Sequence, residues 1–186
     1  MGFANFYLSN LQKTLGALNL SKVDEAVTWF QQTRDAGGTI YLCGNGGSAS
    51  SVSHIACDIV KGCSYQRASR FRVMALTDNL ATITAYANDV GYSEVFAEQL
   101  RNFATPKDLV VAVSGSGNSI NVVKALEYAR TVPCRTIAFT GRDGGKLAPL
   151  GNLNLHVAEQ HMGRIEDAHM VMLHMIAYAF MDCAAD

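Results

Sequence analysis

The sequence predicts an α/β fold: a parallel five-stranded sheet flanked by helices on both faces, with two helices ahead of the first strand. Three observations lead there. Several short runs, such as Leu109-Val-Val-Ala-Val113, are continuously apolar rather than alternating, the pattern of strands covered on both faces. These runs alternate with segments whose apolar residues recur at helical spacing. Two of the runs end in glycine-rich stretches that lead directly into a helical pattern, as strand–loop–helix units do.

Taken in order, residues 3–18 place Phe3, Phe6, Tyr7, Leu11 and Leu15 on one helical stripe, closed by Leu18. Ser21 is the expected N-cap of a second helix, with Asp24 three residues on as a weak capping-box partner. Gly37-Gly38 ends that helix near Ala36. A strand at 39–43, a helix at 48–60 and a strand at 71–76 follow. Helices near 80–87 and 93–104 precede the strand at 109–113, and a helix at 119–131 precedes the strand at 135–139. A short helix, a strand at 152–157 and a long helix over 164–182 complete the chain. No linker, repeat or low-complexity segment interrupts 1–186, so one domain is expected.

The composition narrows the function. Fifteen basic residues stand against 16 acidic ones without a long run of either sign, which leaves no footprint for nucleic acid or a membrane surface. No apolar run reaches the roughly 18 residues of a membrane helix, and the first residues lack the pattern of an export signal. Five cysteines (43, 57, 63, 134 and 183) without a CxxC pair fit free thiols in a reducing cytoplasm. Hydrophobic residues make up 49% of the chain and charged ones 17%, so apolar faces shared between subunits, and hence an oligomer, are expected.

The chemistry concentrates in the two glycine loops. Cys43-Gly-Asn-Gly-Gly-Ser48 and Ser114-Gly-Ser-Gly-Asn-Ser119 each bring bare backbone N–H groups to the positive end of a helix, a ready site for phosphate. The first also satisfies G-x-G-x-x-A through Gly44, Gly46 and Ala49. A dinucleotide, however, wants an acidic residue at the end of the next strand, and Asp78 lies late for that role. The second loop lacks the Gly-Lys-Ser/Thr of a nucleotide P-loop; its three serines suit a phosphomonoester or, more plainly, a helix cap.

His54 and Asp58 are four residues apart and share a helix face; Glu166 and His174, eight apart on the last helix, roughly do so too. Such a set is open to three readings: a divalent metal site with zinc foremost, metal-free acid–base chemistry, or plain surface pairing.

Together these segments, with Ala87-Asn-Asp-Val-Gly91, Thr140-Gly-Arg-Asp-Gly-Gly-Lys146 and Arg164-Ile-Glu-Asp-Ala-His169, resemble the sugar isomerase (SIS) fold and, within it, the phosphoheptose isomerase group. The resemblance spans nearly the whole chain. It implies a cytoplasmic homotetramer with sites at subunit interfaces, isomerising sedoheptulose 7-phosphate to D-glycero-D-manno-heptose 7-phosphate for bacterial surface glycans. It implies that Asn45, Gly46, Gly47 and Ser48, with Ser114, Gly115, Ser116 and Ser119, bind substrate and its phosphate, and that Asp89 meets sugar hydroxyls. It implies a zinc ion on His54, Asp58, Glu166 and His174, with Asp58 as base and His174 as its acid–base partner.

This chain departs from the group at the site. Asp58 stands for a glutamate, Glu166 for a glutamine, Gly62 for an arginine and Gly163 for an aspartate. A phosphosugar is therefore expected more firmly than a particular sugar. The same resemblance offers a second reading, a non-catalytic SIS tetramer that binds the bacterial replication initiator. Retention of both His–carboxylate pairs favours the enzyme.

Overall fold

The computed structural model describes residues 2–182. Helices α1 (Phe3–Gly16) and α2 (Leu20–Asp35) lead into β1 (Thr39–Gly44) and α3 (Gly47–Cys57), which continues as a π-turn over Asp58–Gly62. Strand β2 (Arg72–Ala75), α4 (Leu80–Asp89), a 3-10 turn at Tyr92–Glu94 and α5 (Ala97–Phe103) follow. Strand β3 (Leu109–Ser114), α6 (Ile120–Thr131) and β4 (Arg135–Gly141) come next, then β5 (Leu153–Val157) and α7 (Met162–Met181). The five strands are all parallel, in the order β2-β1-β3-β4-β5.

The apolar runs form strands because both faces are covered. Ile40, Leu42, Leu109, Val111 and Val113 point into a core shared with α2, α3 and α7, including Phe30, Ile55 and Leu173. Tyr41, Cys43, Val110 and Ala112 point the other way, against Phe96, Leu100, Val122 and Leu126 of the α5–α6 side. The strand order reverses direction between β1 and β3. In open parallel sheets ligands settle at that switch point, outside the carboxyl ends of the strands. The two glycine loops follow those two strands, so the topology alone brings them to one crevice.

Several local expectations are corrected. The N-cap of α2 is Asn19, whose side chain accepts from Lys22 N at 3.3 Å and from the Ser21 hydroxyl at 2.7 Å. Asparagine caps as well as serine, and its position one residue ahead of Leu20 leaves Ser21 inside the helix. The expected helix over 93–104 begins at Ala97, after Gly91 takes φ 121° and starts a 3-10 turn. The stripe on α1 is only half used within the chain: Leu15 and Leu18 pack on the core, whereas Phe3 and Phe6 are 75% and 55% exposed. Cys43, Cys63 and Cys134 are buried and Cys57 is exposed, all as free thiols; Cys183 lies outside the described residues. Burial pushes the Cys43 thiol up to about 12.

Candidate active site

The second loop forms a cup of hydroxyls. The Ser114 hydroxyl donates to Ser119 Oγ at 3.2 Å and lies 3.4 Å from Ser116 Oγ. Gly117 N–H donates to Ser114 O at 2.9 Å, closing the turn. Ser119 occupies the N-cap position of α6, yet its side chain caps no helix N–H. A serine there ordinarily accepts from its own first turn; this one faces the cup, leaving amide donors and three hydroxyls for an anion.

The cup is held from behind by the 140–147 segment. Leu147 N–H donates to Gly117 O at 2.9 Å, and Lys146 N–H donates to Asn118 Oδ1 at 3.2 Å. Gly117 has φ +65°, and a Cβ there would overlap the carbonyl of Gly144. Behind that segment His169, 2% exposed, approaches Thr140 O with Nε2 at 3.1 Å. A carbonyl only accepts, so Nε2 carries the proton. Burial holds the His169 pKa down at about 4, and its Nδ1 has no partner among the described residues.

The first loop is built differently. Gly47, the first residue of α3, lies against Glu166: a Cβ at position 47 would stand 3.0 Å from the carboxyl carbon and both its oxygens. The head of α3 thus already faces a carboxylate of the chain itself. Asn45, expected to meet substrate directly, is engaged sideways with Asn121 and Tyr92. Ser48 is buried, at 7% exposure, and packs against Gly44 at the end of β1.

Helices α3 and α7 run side by side in the same direction, with contacts at Gly47–Glu166 and again at His54–His174. At this second level His54 Nε2 and His174 Nε2 are 3.0 Å apart, and Asp58 Oδ2 lies 3.3 Å and 3.9 Å from them. The three side chains are partly open to solvent, at 49%, 40% and 24% for His54, His174 and Asp58. Bonds of about 2.0–2.1 Å to one tetrahedral zinc place its ligand atoms about 3.3 Å apart, so this donor set fits such an ion. The same 3.0 Å separation is also a hydrogen bond between a donor and an acceptor imidazole. Asp58 opens the π-turn, and such turns recur at functional sites.

Of the expected four ligands, the structure brings together His54, Asp58 and His174; they are the described His, Cys, Asp and Glu side chains grouped closely enough for one ion. Glu166 stands two turns away at the head of α3. Asp89 is exposed at the end of α4, where Asn88 donates to it at 2.8 Å, on the rim of an apolar trough of about 1080 Å3. That trough, lined by Val60, Met74, Leu80 and Phe103 among others, contains neither the serine cup nor the His–Asp trio. Gly62 lies under the Met181 side chain and Gly163 under the Tyr7 hydroxyl, so a longer residue at either position would have to displace that side chain. Asn121 and Tyr92 were not expected at the site. The available signal was an asparagine in the first turn of α6 on its buried face.

A cup of hydroxyls at the switch point of a parallel sheet, with a His–carboxylate trio further down α3 and α7, is the equipment of one class: an enzyme of small anionic substrates. Comparisons with known proteins narrow that class. The SIS domain pattern matches residues 6–141. The phosphoheptose isomerase of Helicobacter pylori (strain ATCC 700392 / 26695) is 36% identical over 166 residues, 89% of this chain and 85% of that one. That of Aliarcobacter butzleri is 41% identical over 145 residues, 78% of this chain and 76% of its own. The solved phosphoheptose isomerase of Neisseria gonorrhoeae superposes with a TM-score of 0.87 at 30% identity, covering 95% of both chains. The chain belongs to the SIS domain family and, within it, to the phosphoheptose isomerases.

Proposed function

We propose that the protein is an aldose–ketose isomerase that converts sedoheptulose 7-phosphate, or a closely related phosphosugar, to the aldose phosphate through an enediol. The observation that carries this reading is that one sheet carries both the serine cup after β3 and, two turns down the paired helices α3 and α7, the His54–Asp58–His174 trio. The cup of Ser114, Gly115, Ser116 and Ser119 takes the phosphate, and that remote binding energy positions the reacting carbons. Asp58 turns Oδ2 toward both rings, which leaves Oδ1 to take a proton from the carbon beside the carbonyl. His174 then moves a proton between the two oxygens of the enediol. A divalent ion such as zinc, if held by His54, Asp58 and His174, would occupy His174 Nε2 and take over that task as a Lewis acid polarising the carbonyl oxygen. With Glu166 at the head of α3, these three residues would hold the ion as three protein ligands, the number usual in catalytic zinc sites.

The exposed apolar side chains Phe3 and Phe6 on α1, and Met74, Leu80 and Phe103 around the trough, support association with further subunits, which this reading takes to be a cytoplasmic homotetramer with sites completed at its interfaces. In that assembly Asp89 reaches sugar hydroxyls. No helix of the described residues is long and apolar enough to cross a membrane.

The test is a coupled isomerase assay on sedoheptulose 7-phosphate, run on zinc-replete and chelated protein. Turnover lost on chelation and regained with zinc is expected. Binding of the phosphosugar without turnover in either sample would sink the isomerase reading. Asp58→Asn should lower kcat by about 1000-fold, as loss of a catalytic base does, while phosphosugar binding persists; near-full turnover in that variant would remove Asp58 from the role.

A further inference from the structure

The most completely satisfied polar contact between the two loops has no place in the reaction as derived above. Asn45 in the first loop and Asn121 in the first turn of α6 form a reciprocal amide pair, with Asn45 Nδ2 donating to Asn121 Oδ1 at 2.8 Å and Asn121 Nδ2 donating to Asn45 Oδ1 at 2.9 Å. Tyr92 OH reaches Asn45 Oδ1 at 2.9 Å, and Val122 N–H donates to Asn121 Oδ1 at 3.0 Å.

The polarity of this network is fixed by one atom. The Val122 N–H can only donate, so the Asn121 atom beside it is the oxygen. The Asn45 atom facing that oxygen must then be its nitrogen, and the other Asn45 atom its oxygen. With Asn121 Nδ2 already donating to it, that oxygen takes its second hydrogen bond from the Tyr92 hydroxyl. Both lone pairs of Asn45 Oδ1 are used, and one N–H of its Nδ2 is left over. Asn121 is 1% exposed, so an unmatched amide there would be costly.

Three segments meet at this point: the first loop, the helix head beneath the serine cup, and the turn three residues beyond Asp89. We infer that Asn121 and Tyr92 are positioning residues: acting through Asn45, they set the first loop against the cup and present the one remaining Asn45 N–H to the sugar of the bound phosphosugar. This rests on the proposed phosphosugar site. It assigns the clasp to the sugar portion of the ligand and leaves phosphate capture to the cup.

The test measures affinity for sedoheptulose 7-phosphate and for inorganic phosphate by calorimetry, beside kcat, in the full-length protein. Tyr92 is 53% exposed, so Tyr92→Phe removes one donor without emptying the core. It should weaken phosphosugar binding about threefold to tenfold, the loss of one hydrogen bond, and leave inorganic phosphate within about twofold, as for an independent site. Asn121→Ala should weaken the phosphosugar further. In an Asn45→Ala background Tyr92→Phe should add nothing, because its acceptor is gone.

Equal loss for both ligands, or an unchanged effect of Tyr92→Phe in the Asn45→Ala background, would overturn the inference. So would a Tyr92→Phe protein that binds the phosphosugar as the parent does. Because the readout is a ratio of affinities, parent protein that binds the phosphosugar without turning it over would sink the isomerase reading and still test the clasp. Parent protein that binds neither ligand would end both.

Discussion

The two glycine loops are built on one plan and finish in opposite states. Each follows a central strand, each opens a helix, and neither helix is capped by a side chain. At the head of α6 the donors are left open among three hydroxyls. At the head of α3 a carboxylate from α7 is already in place, and the loop's asparagine is tied to α6. Local sequence makes both loops look like anion sites; what arrives from elsewhere in the chain sets a carboxylate against one helix head and, among the described residues, none against the other.

That contrast is broken most sharply at the glycines. Gly117→Val places a side chain on the Gly144 carbonyl from a backbone at φ +65°, so backbone must move. A cost of about 3 kcal/mol or more in chemical denaturation, with phosphate binding lost, is expected. Gly47→Ala meets only the end of the Glu166 side chain, which can rotate away, and should cost less than about 1 kcal/mol. Equal costs would mean the two loops are constrained alike.

Acid should loosen the support of the cup. His169 has an ordinary value of 6.5 and a folded value of about 4, so between those limits the unfolded chain binds the extra proton. Stability therefore rises with pH across that window and loses on the order of 3 kcal/mol on going from pH 7 to below pH 4. His169→Leu should flatten this limb of the stability–pH profile; an unchanged limb would mean other groups produce it.

The smallest effects separate the serines. Ser119→Ala should weaken inorganic phosphate binding about tenfold, whereas Ser48→Ala, at the helix head that Glu166 faces, should change it by less than about threefold. The reverse order, read by calorimetry, would move the phosphate to the first loop.

Much of this molecule is legible in the sequence because its signals are local. The five strands are short apolar runs bounded by glycines and polar turns, and all five fall within a residue or two of their expected bounds. The serine cup is legible for the same reason, since Ser114, Ser116 and Ser119 are bonded within six residues of chain. His54 and Asp58 could be placed on one face by spacing, and His174 joins them through the resemblance. The rest depends on long-range encounters. The Asn45–Asn121 pair spans 76 residues, and the contact of Glu166 with Gly47 joins opposite ends of the fold. Nothing in Ile-Asn-Val-Val announces an amide clasp, and nothing in Arg-Ile-Glu-Asp says that its glutamate will lie on a helix head. The π-turn after Cys57 was invisible for another reason: its residues read as ordinary helix, and the wider turn shows only in the structure.

Strands β1 and β3 each have a strand on either side and helices over both faces. Amides leading into the two loops can therefore exchange with solvent only when the middle of the sheet opens, whereas α1, which contributes no buried side chain, can detach alone. Fraying at the periphery leaves the two loops seated within the subunit, whereas opening the middle of the sheet removes both in a single event.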